Sequence, residues 1–489
     1  MMSFTKLFLL YLAIVCTVGF TKADYVAGVV EIETITGQNP NERVEGNLQQ
    51  YVETIEKARD KEVQIIVFPE YGLTGKVESP SQYAIEIPYP GSATNFSNFW
   101  LTVLSNAAVA NQMYVVVNLY EQERDKSNNS IYYNTNVVFG KAGNIVAKYR
   151  KINVYNEPAI TSAGKNSIQP QSTFTTDFGV TFGTFISYDI NFYNPAKSVT
   201  LNNVTDVVYT AAWKSRVPFY HSISTQHGYA LANKVNLLAA NLNNVKEGLG
   251  GSGIYGADGT IFDSYISGVP GTKLIVATVK NAQPETPFTT FALKAIPGHV
   301  PTLADFNASK YFESHKYEFR KINLSRSAIK EEVCQKYFCC SFNINVTENS
   351  VNNSDIFKIM AYKGEVRVGE IKDVRICALV SCENDDVKSC GGRNVKTTTK
   401  FNSITVETNI PDYPHQYVLP ISLTGEMVPV RNTKMESSVK KSVRNSKYWA
   451  TDVQQENLIA FGFIANGGVV VAFNNILLVG ILYITYWFV

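Results

Sequence analysis

The sequence predicts an α/β domain followed by a smaller, strand-rich, disulfide-bearing domain. Two observations carry this. An apolar strand, an amphipathic helix and a second apolar strand follow one another over residues 25–69, which is the order of a βαβ layer. And six of the seven cysteines, Cys334, Cys339, Cys340, Cys377, Cys382 and Cys390, fall in one late segment, whereas residues 24–333 contain none. With 489 residues, 45% hydrophobic and 12% aromatic, the chain can bury two cores. Its net charge of +2, without a basic stripe interleaved with aromatics, gives no sign of a nucleic-acid partner.

The N-terminus places Lys6 before an apolar run over residues 7–18 and small residues up to Ala23, the pattern of a secretory signal peptide over 1–23. The run is shorter than the ~20 residues of a membrane span. Seven Asn-x-Ser/Thr sequons, at Asn95, Asn128, Asn203, Asn307, Asn323, Asn345 and Asn352, predict a glycosylated surface in a secreted chain. In an oxidising compartment the six late cysteines predict three disulfides of unspecified pairing; Cys377-x4-Cys382 as half of a zinc site is the competing reading.

In chain order, Tyr25-Val-Ala-Gly-Val-Val-Glu-Ile is the first strand, and residues 41–61, with Val44, Leu48, Tyr51, Val52, Ile55 and Ala58 at helical spacing, the first helix. Val63-Gln-Ile-Ile-Val-Phe-Pro69 is a strand that ends at Glu70. Ligand chemistry in such sheets gathers at strand carboxyl ends. A helix over 93–112, a strand over 113–120 and a hairpin of 132–139 with 145–149, turned by Gly140-Lys-Ala-Gly-Asn144, follow. The apolar strand of Thr181-Phe-Gly-Thr-Phe-Ile runs into a tight turn at Ser187, a position suited to a nucleophile, and Pro195 can open the next element. A strand over 206–213, a helix over 221–233 and strands near 235–241 and 250–255 complete a domain expected over 24–283. A linker at 284–301, a cysteine-containing domain at 302–427 and a charged, polar stalk at 428–466 are expected next.

The tail, 467–489, is apolar, and no Lys or Arg follows it. That fits a glycosylphosphatidylinositol signal better than a stop-transfer helix. Asn466-Gly467-Gly468 is the expected attachment triplet and Ala450-Thr451-Asp452 the alternative. The expected location is the outer face of the cell membrane, held by lipid.

Three ordered motifs, Phe68-Pro-Glu70, Tyr149-Arg-Lys151 and Phe185-Ile-Ser187-Tyr-Asp, stand about 80 and about 36 residues apart. They resemble the catalytic motifs of the nitrilase superfamily of carbon–nitrogen hydrolases. Ala211-Ala-Trp213, Gln226-His227, Lys234-Val-Asn-Leu-Leu-Ala-Ala-Asn241 and Gly251-Ser-Gly-Ile-Tyr255 resemble its vanin and biotinidase branch in particular. The resemblance implies a four-layer αββα sandwich and cleavage of linear amides of small molecules such as pantetheine, with no metal or organic cofactor. It implies that Glu70 is the general base, Lys151 the acid and oxyanion partner, Glu157 a second glutamate that orients them, and His227 a supporting residue. The nucleophile's position falls on Ser187, where the family has cysteine. A serine hydroxyl is far less acidic than a thiol and is usually coupled to histidine. The expectation is therefore an impaired amidohydrolase, the alternative a catalytically inactive cell-surface relative that binds a small amide or a protein.

Overall fold

The computed structural model describes residues 24–280 and 317–466, apart from 38, 93–94, 165–168, 202, 367–370, 393–394 and 413–415. The expected signal peptide, linker and apolar tail lie outside the described residues, as does Asn307. The first domain runs β1 (Tyr25–Glu33), α1 (Pro40–Arg59), β2 (Ile65–Val67), α2 (Phe99–Asn111), β3 (Tyr114–Arg124), β4 (Ser130–Phe139), β5 (Ile145–Arg150), β6 (Thr173–Thr175), β7 (Thr181–Ile186), β8 (Asp206–Ala211), α3 (Ser222–Asn233), β9 (Asn236–Asn243), β10 (Ser252–Tyr255), β11 (Ile261–Tyr265) and β12 (Lys273–Val279).

Helix ends follow local chemistry. Pro40 opens α1 behind Asn39, whose side chain accepts from the Asn41 amide; Asn98 caps α2 by accepting from the Trp100 and Leu101 amides. Gln112 and Lys234 end α2 and α3 in the left-handed region.

The strands form one path, β5-β4-β3-β2-β1-β9-β8-β7-β6, with β12 on β1 and β10 and β11 beyond β9. The junction at the end of β1 is narrow, made by Ile32 opposite Leu242 and Glu33 opposite Asn243. Folding there sets two half-sheets face to face. Val29, Ile65, Val67 and Val116 of one share a core with Phe182, Val208, Leu238 and Ile254 of the other. The alternate residues Val30, Ile32, Ile66, Val115 and Val117 turn outward under α1 and α2. α3 covers the opposite face, beside Phe185, Tyr209 and Tyr255. The result is the four-layer αββα sandwich, and period-two alternation in strands buried on both faces is what builds it.

The second domain comprises β13 (Glu318–Lys321), β14 (Ala328–Gln335), β15 (Phe338–Val346), β16 (Ile356–Val366), β17 (Ile371–Cys382), β18 (Phe401–Pro411), β19 (Tyr417–Thr424), β20 (Thr433–Lys440), β21 (Val443–Val453) and β22 (Leu458–Asn466). They make two five-stranded sheets, β13-β16-β17-β22-β19 and β14-β15-β18-β21-β20, packed over one apolar core. Disulfides join Cys334 to Cys339, Cys340 to Cys377 and Cys382 to Cys390. Cys377 and Cys382 therefore bond to different partners, which removes the zinc reading.

The expected stalk over 428–466 is corrected. These residues are β20 to β22, and β22 lies inside its sheet, between β17 and β19. The segment reads as polar because β20 and β21 form one edge of a sheet with a solvated face: Lys434, Glu436 and Ser438 are exposed, while Thr433, Tyr448 and Ala450 are buried. The alternative attachment site at Ala450 falls with it, since cleavage there would remove β22.

The domains share a core. Met360, Ile376, Leu419 and Ile464 of the second pack with Phe185, Ile190, Phe219 and Ile223 of the first. α3 approaches β19 so closely that a Cβ on Gly228 would stand 2.0 Å from the Pro420 carbonyl oxygen. Only glycine permits that contact.

Candidate active site

Glu70 follows β2, Lys151 follows β5 and Ser187 follows β7, so three strand carboxyl ends converge on one mouth of the sandwich. All three, with Glu157, line a cleft of about 1140 Å³. The side chains of Glu70, Lys151 and Glu157 are at most 3% exposed.

The Lys151 ammonium lies 2.7 Å from Glu70 Oε1 and 2.5 Å from Glu157 Oε1. Burial alone would lower its pKa; the Glu157 and Glu70 carboxylates overcome that and hold it well above the ordinary lysine value. Lys151 is thus locked as a cation: it cannot abstract a proton, and it acts through its charge and its N–H hydrogen bonds. Burial likewise works to raise Glu157, but Lys151, Tyr71 and Asn134 hold its pKa below the usual carboxylate value. Tyr71 donates its hydroxyl to Glu157 Oε2. Asn134, from β4, donates to Glu70 Oε1 at 2.8 Å, to Glu157 Oε2 at 3.0 Å and to the Tyr71 hydroxyl at 2.9 Å. The remaining oxygen of Glu70, Oε2, accepts from the Ala212 amide at 2.8 Å. Glu70 thus fills three of about four acceptor positions. One stays open.

Ser187 sits at φ +47°, a left-handed backbone that non-glycine residues adopt rarely, and only where the surroundings enforce it. The enforcement is visible. Asp189, two residues on, accepts from the Ile186 amide, the Tyr149 hydroxyl, and the Asn153 amide and side chain. The Tyr209 hydroxyl donates to the Ser187 carbonyl at 3.0 Å. Burial raises the Asp189 carboxyl to about 6 against the hydrogen bonds from Tyr149 and Asn153.

Four of the five residues expected at the site come together. His227 does not: it lies on α3 with Nε2 2.9 Å from the Gly259 carbonyl oxygen, and it is not among the residues lining the cleft. Burial lowers its pKa, so it packs as a neutral ring. It is a packing residue of α3, and the helical face that carries it points at the loop after β10. Asn466 closes β22, buried, with its side chain donating to the Asn191 carbonyl at 2.9 Å. Of the described sequons, Asn95, Asn128, Asn203 and Asn323 are exposed, whereas Asn345 and Asn352 are half-buried and donate to Ser403 and Thr398.

Sequence reasoning missed Asn134, Tyr71 and Asp189 as site residues. Tyr71 directly follows the Phe68-Pro-Glu70 motif, and Asp189 sits inside the motif of Ser187, two residues after it. Asn134 carried one signal: Asn134-Thr135-Asn136 is a polar run inside a strand that is otherwise apolar at that end.

A buried carboxylate–ammonium–carboxylate network at the mouth of an αββα sandwich is the arrangement expected from the resemblance to the carbon–nitrogen hydrolases, with a hydroxyl on the strained turn where those enzymes have a thiol. Residues 31–283 match the carbon-nitrogen hydrolase family and residues 306–467 the vanin C-terminal domain. The chain belongs to the carbon–nitrogen hydrolases of the vanin kind. It is 31% identical to vanin-like protein 1 of Drosophila melanogaster over 90% of this chain and 85% of that protein. It is 27% identical to the pantetheinase of Homo sapiens, covering 84% and 83%, and 27% identical to the biotinidase of Takifugu rubripes, covering 90% and 94%. Among solved structures, Nit3 of Saccharomyces cerevisiae, a nitrilase-superfamily member, aligns over 53% of this chain and 91% of that one, with 20% identity and a TM-score of 0.41.

Proposed function

We propose that this protein is a vanin-like amidohydrolase that cleaves linear amides of small molecules such as pantetheine through an ester on Ser187. One observation carries the reading: Glu70, Lys151 and Ser187 line a single cleft, with Glu70 and Lys151 already joined. The Ser187 oxygen attacks the amide carbonyl while Glu70 takes its proton. The C–N bond breaks, the amine leaves with that proton, and the Lys151 ammonium stabilises the oxyanion. Water then cleaves the ester to the acid and restores the hydroxyl. A carboxylate is a weak base for a serine hydroxyl, so turnover is slow compared with a thiol at the same position.

That His227 is engaged at Gly259 favours a second reading, a non-catalytic relative that binds a small amide. Hydrolysis of pantetheine and biotinyl amides by the purified protein, beside Ser187→Cys and Glu70→Ala, separates the two. Slow turnover lost in Glu70→Ala, with an acyl adduct on Ser187 in the mass spectrum, supports the amidase. Inactive parent protein with an active Ser187→Cys supports the binder, and turnover that survives Glu70→Ala sinks the triad.

The apolar run over 7–18 and the apolar tail from 469 support secretion and a lipid anchor at the outer cell surface. Release from intact cells by a phosphatidylinositol-specific phospholipase is the expected result. Retention after that treatment would refute the anchor.

A further inference from the structure

Residues 244–250 connect β9 to β10 and form one side of the cleft, through Asn244, Val245, Lys246, Glu247 and Leu249. Both ends of this loop are tied to one side chain that is not part of the cleft wall. Glu31 of β1, fully buried, accepts from Asn243 Nδ2 at 2.9 Å where the loop begins. Where it ends, Glu31 accepts from the Gly251 amide at 2.8 Å and from Ser252 Oγ at 2.9 Å. The approach depends on glycine. Gly251 stands at φ +95°, and a Cβ there would lie 2.0 Å from Ser222 Oγ, which itself donates to the Gly250 carbonyl.

We infer that Glu31 is a positioning residue: by clasping both ends of loop 244–250 it fixes that wall of the cleft, and so sets how tightly an amide substrate is held without touching it. The consequence for substrate rests on the amidase reading. The clasp itself does not.

The clasp has a pH dependence of definite sign. Charged and titratable groups on the elements around Glu31 are Lys273 on β12, opposite it in register, Tyr255 on β10, Tyr25 and Glu33 on its own strand, Lys246 and Glu247 on the loop itself, and His227 and Tyr229 on α3; β2 and β9 carry none. Burial raises the Glu31 carboxyl to about 7, against the hydrogen bonds from Asn243, Ser252 and Gly251. Opening the loop hydrates the carboxyl and returns it toward the ordinary value near ~4.3. The closed loop therefore binds the proton more tightly, so closure is strongest below pH ~5, weakens as the pH rises, and levels off above ~7.

The test is amide hydrogen exchange across residues 244–251 of the full chain between pH 5 and 8, corrected for intrinsic rates, with KM and kcat for pantetheine alongside. In the parent, protection of this loop is expected to fall about tenfold or more over that range. Glu31→Gln should abolish the dependence. Glu31→Ala should lose about tenfold protection at every pH, because the hydrogen bonds that tie both ends of the loop are gone, and should raise KM by more than it changes kcat. Parent protection that ignores pH, a Glu31→Gln that still follows it, or a Glu31→Ala with native protection overturns the inference. If Glu31→Ala does not fold, the first two measurements decide. If pantetheine is not turned over at all, exchange still judges the clasp, and only the amidase reading falls.

Discussion

Replacing Lys151 with methionine is the sharpest perturbation of the site. The side chain keeps its length and its apolar stem but loses the charge, leaving Glu70 and Glu157 buried at no more than 3% exposure without the cation that lies 2.7 and 2.5 Å away. Asn134 still donates to both carboxylates, and Tyr71 to Glu157, so hydration is replaced in part. Removing one partner of a buried ion pair costs about 3–5 kcal/mol. For a domain of this size that lowers the midpoint of thermal unfolding by roughly 6–20 °C. The pH dependence follows from the carboxylates. In the parent, Glu157 has a lowered pKa, so its contribution is present above its unfolded value near ~4.3 and is lost as pH falls through its folded one. In Lys151→Met the two carboxylates face one another uncompensated, and at least one must carry a proton. Its deficit is therefore largest near neutral pH and shrinks toward pH ~4. Thermal unfolding at pH 4.5 and pH 7.5, followed by circular dichroism, reads both effects. A variant as stable as the parent at pH 7.5 would refute the buried ion network as the organiser of the site.

Other outcomes follow from the same geometry. Tyr71→Phe removes one donor to Glu157 and should lower stability by about 1–3 kcal/mol in urea titrations, while an unchanged midpoint would mean that the hydrogen bond contributes nothing. His227→Gln should leave amide turnover within about twofold of the parent, since it lies outside the cleft; loss comparable to Glu70→Ala would restore it to the chemistry. A chain ending at residue 427 should lose the second domain's cooperative unfolding, because β22 is missing from between β17 and β19, and a soluble, folded truncation would contradict that topology. Glycopeptide mapping should find glycans at Asn128, Asn203 and Asn323 before Asn345, whose amide is held by Ser403; the reverse order would refute the burial argument.

What the sequence determined by itself is what depends on local order. Hydrophobic period marks β1, α1, β3 and the hairpin of β4 and β5 within a few residues, because the spacing of apolar residues along each element already shows which of its faces are buried. Glu70, Lys151 and Ser187 are legible for the same reason: each follows an apolar strand. Tertiary structure alone decided the rest. Lys273–Val279 pairs with β1 across more than 200 intervening residues, and β22 enters its sheet between β17 and β19, which begin at residues 371 and 417, so no local window shows these partners. Asn134 shows in the sequence only as part of a polar run; that its amide meets Glu70, Tyr71 and Glu157 follows from the fold, which brings the segments after β2 and β5 to β4. Burial turns three separate charges into a network with one locked ammonium, and sets Ser187 at +47° beside it. Those are properties of the closed sandwich, because a pKa shift and a strained φ exist only when distant strands exclude water and hold the chain in place.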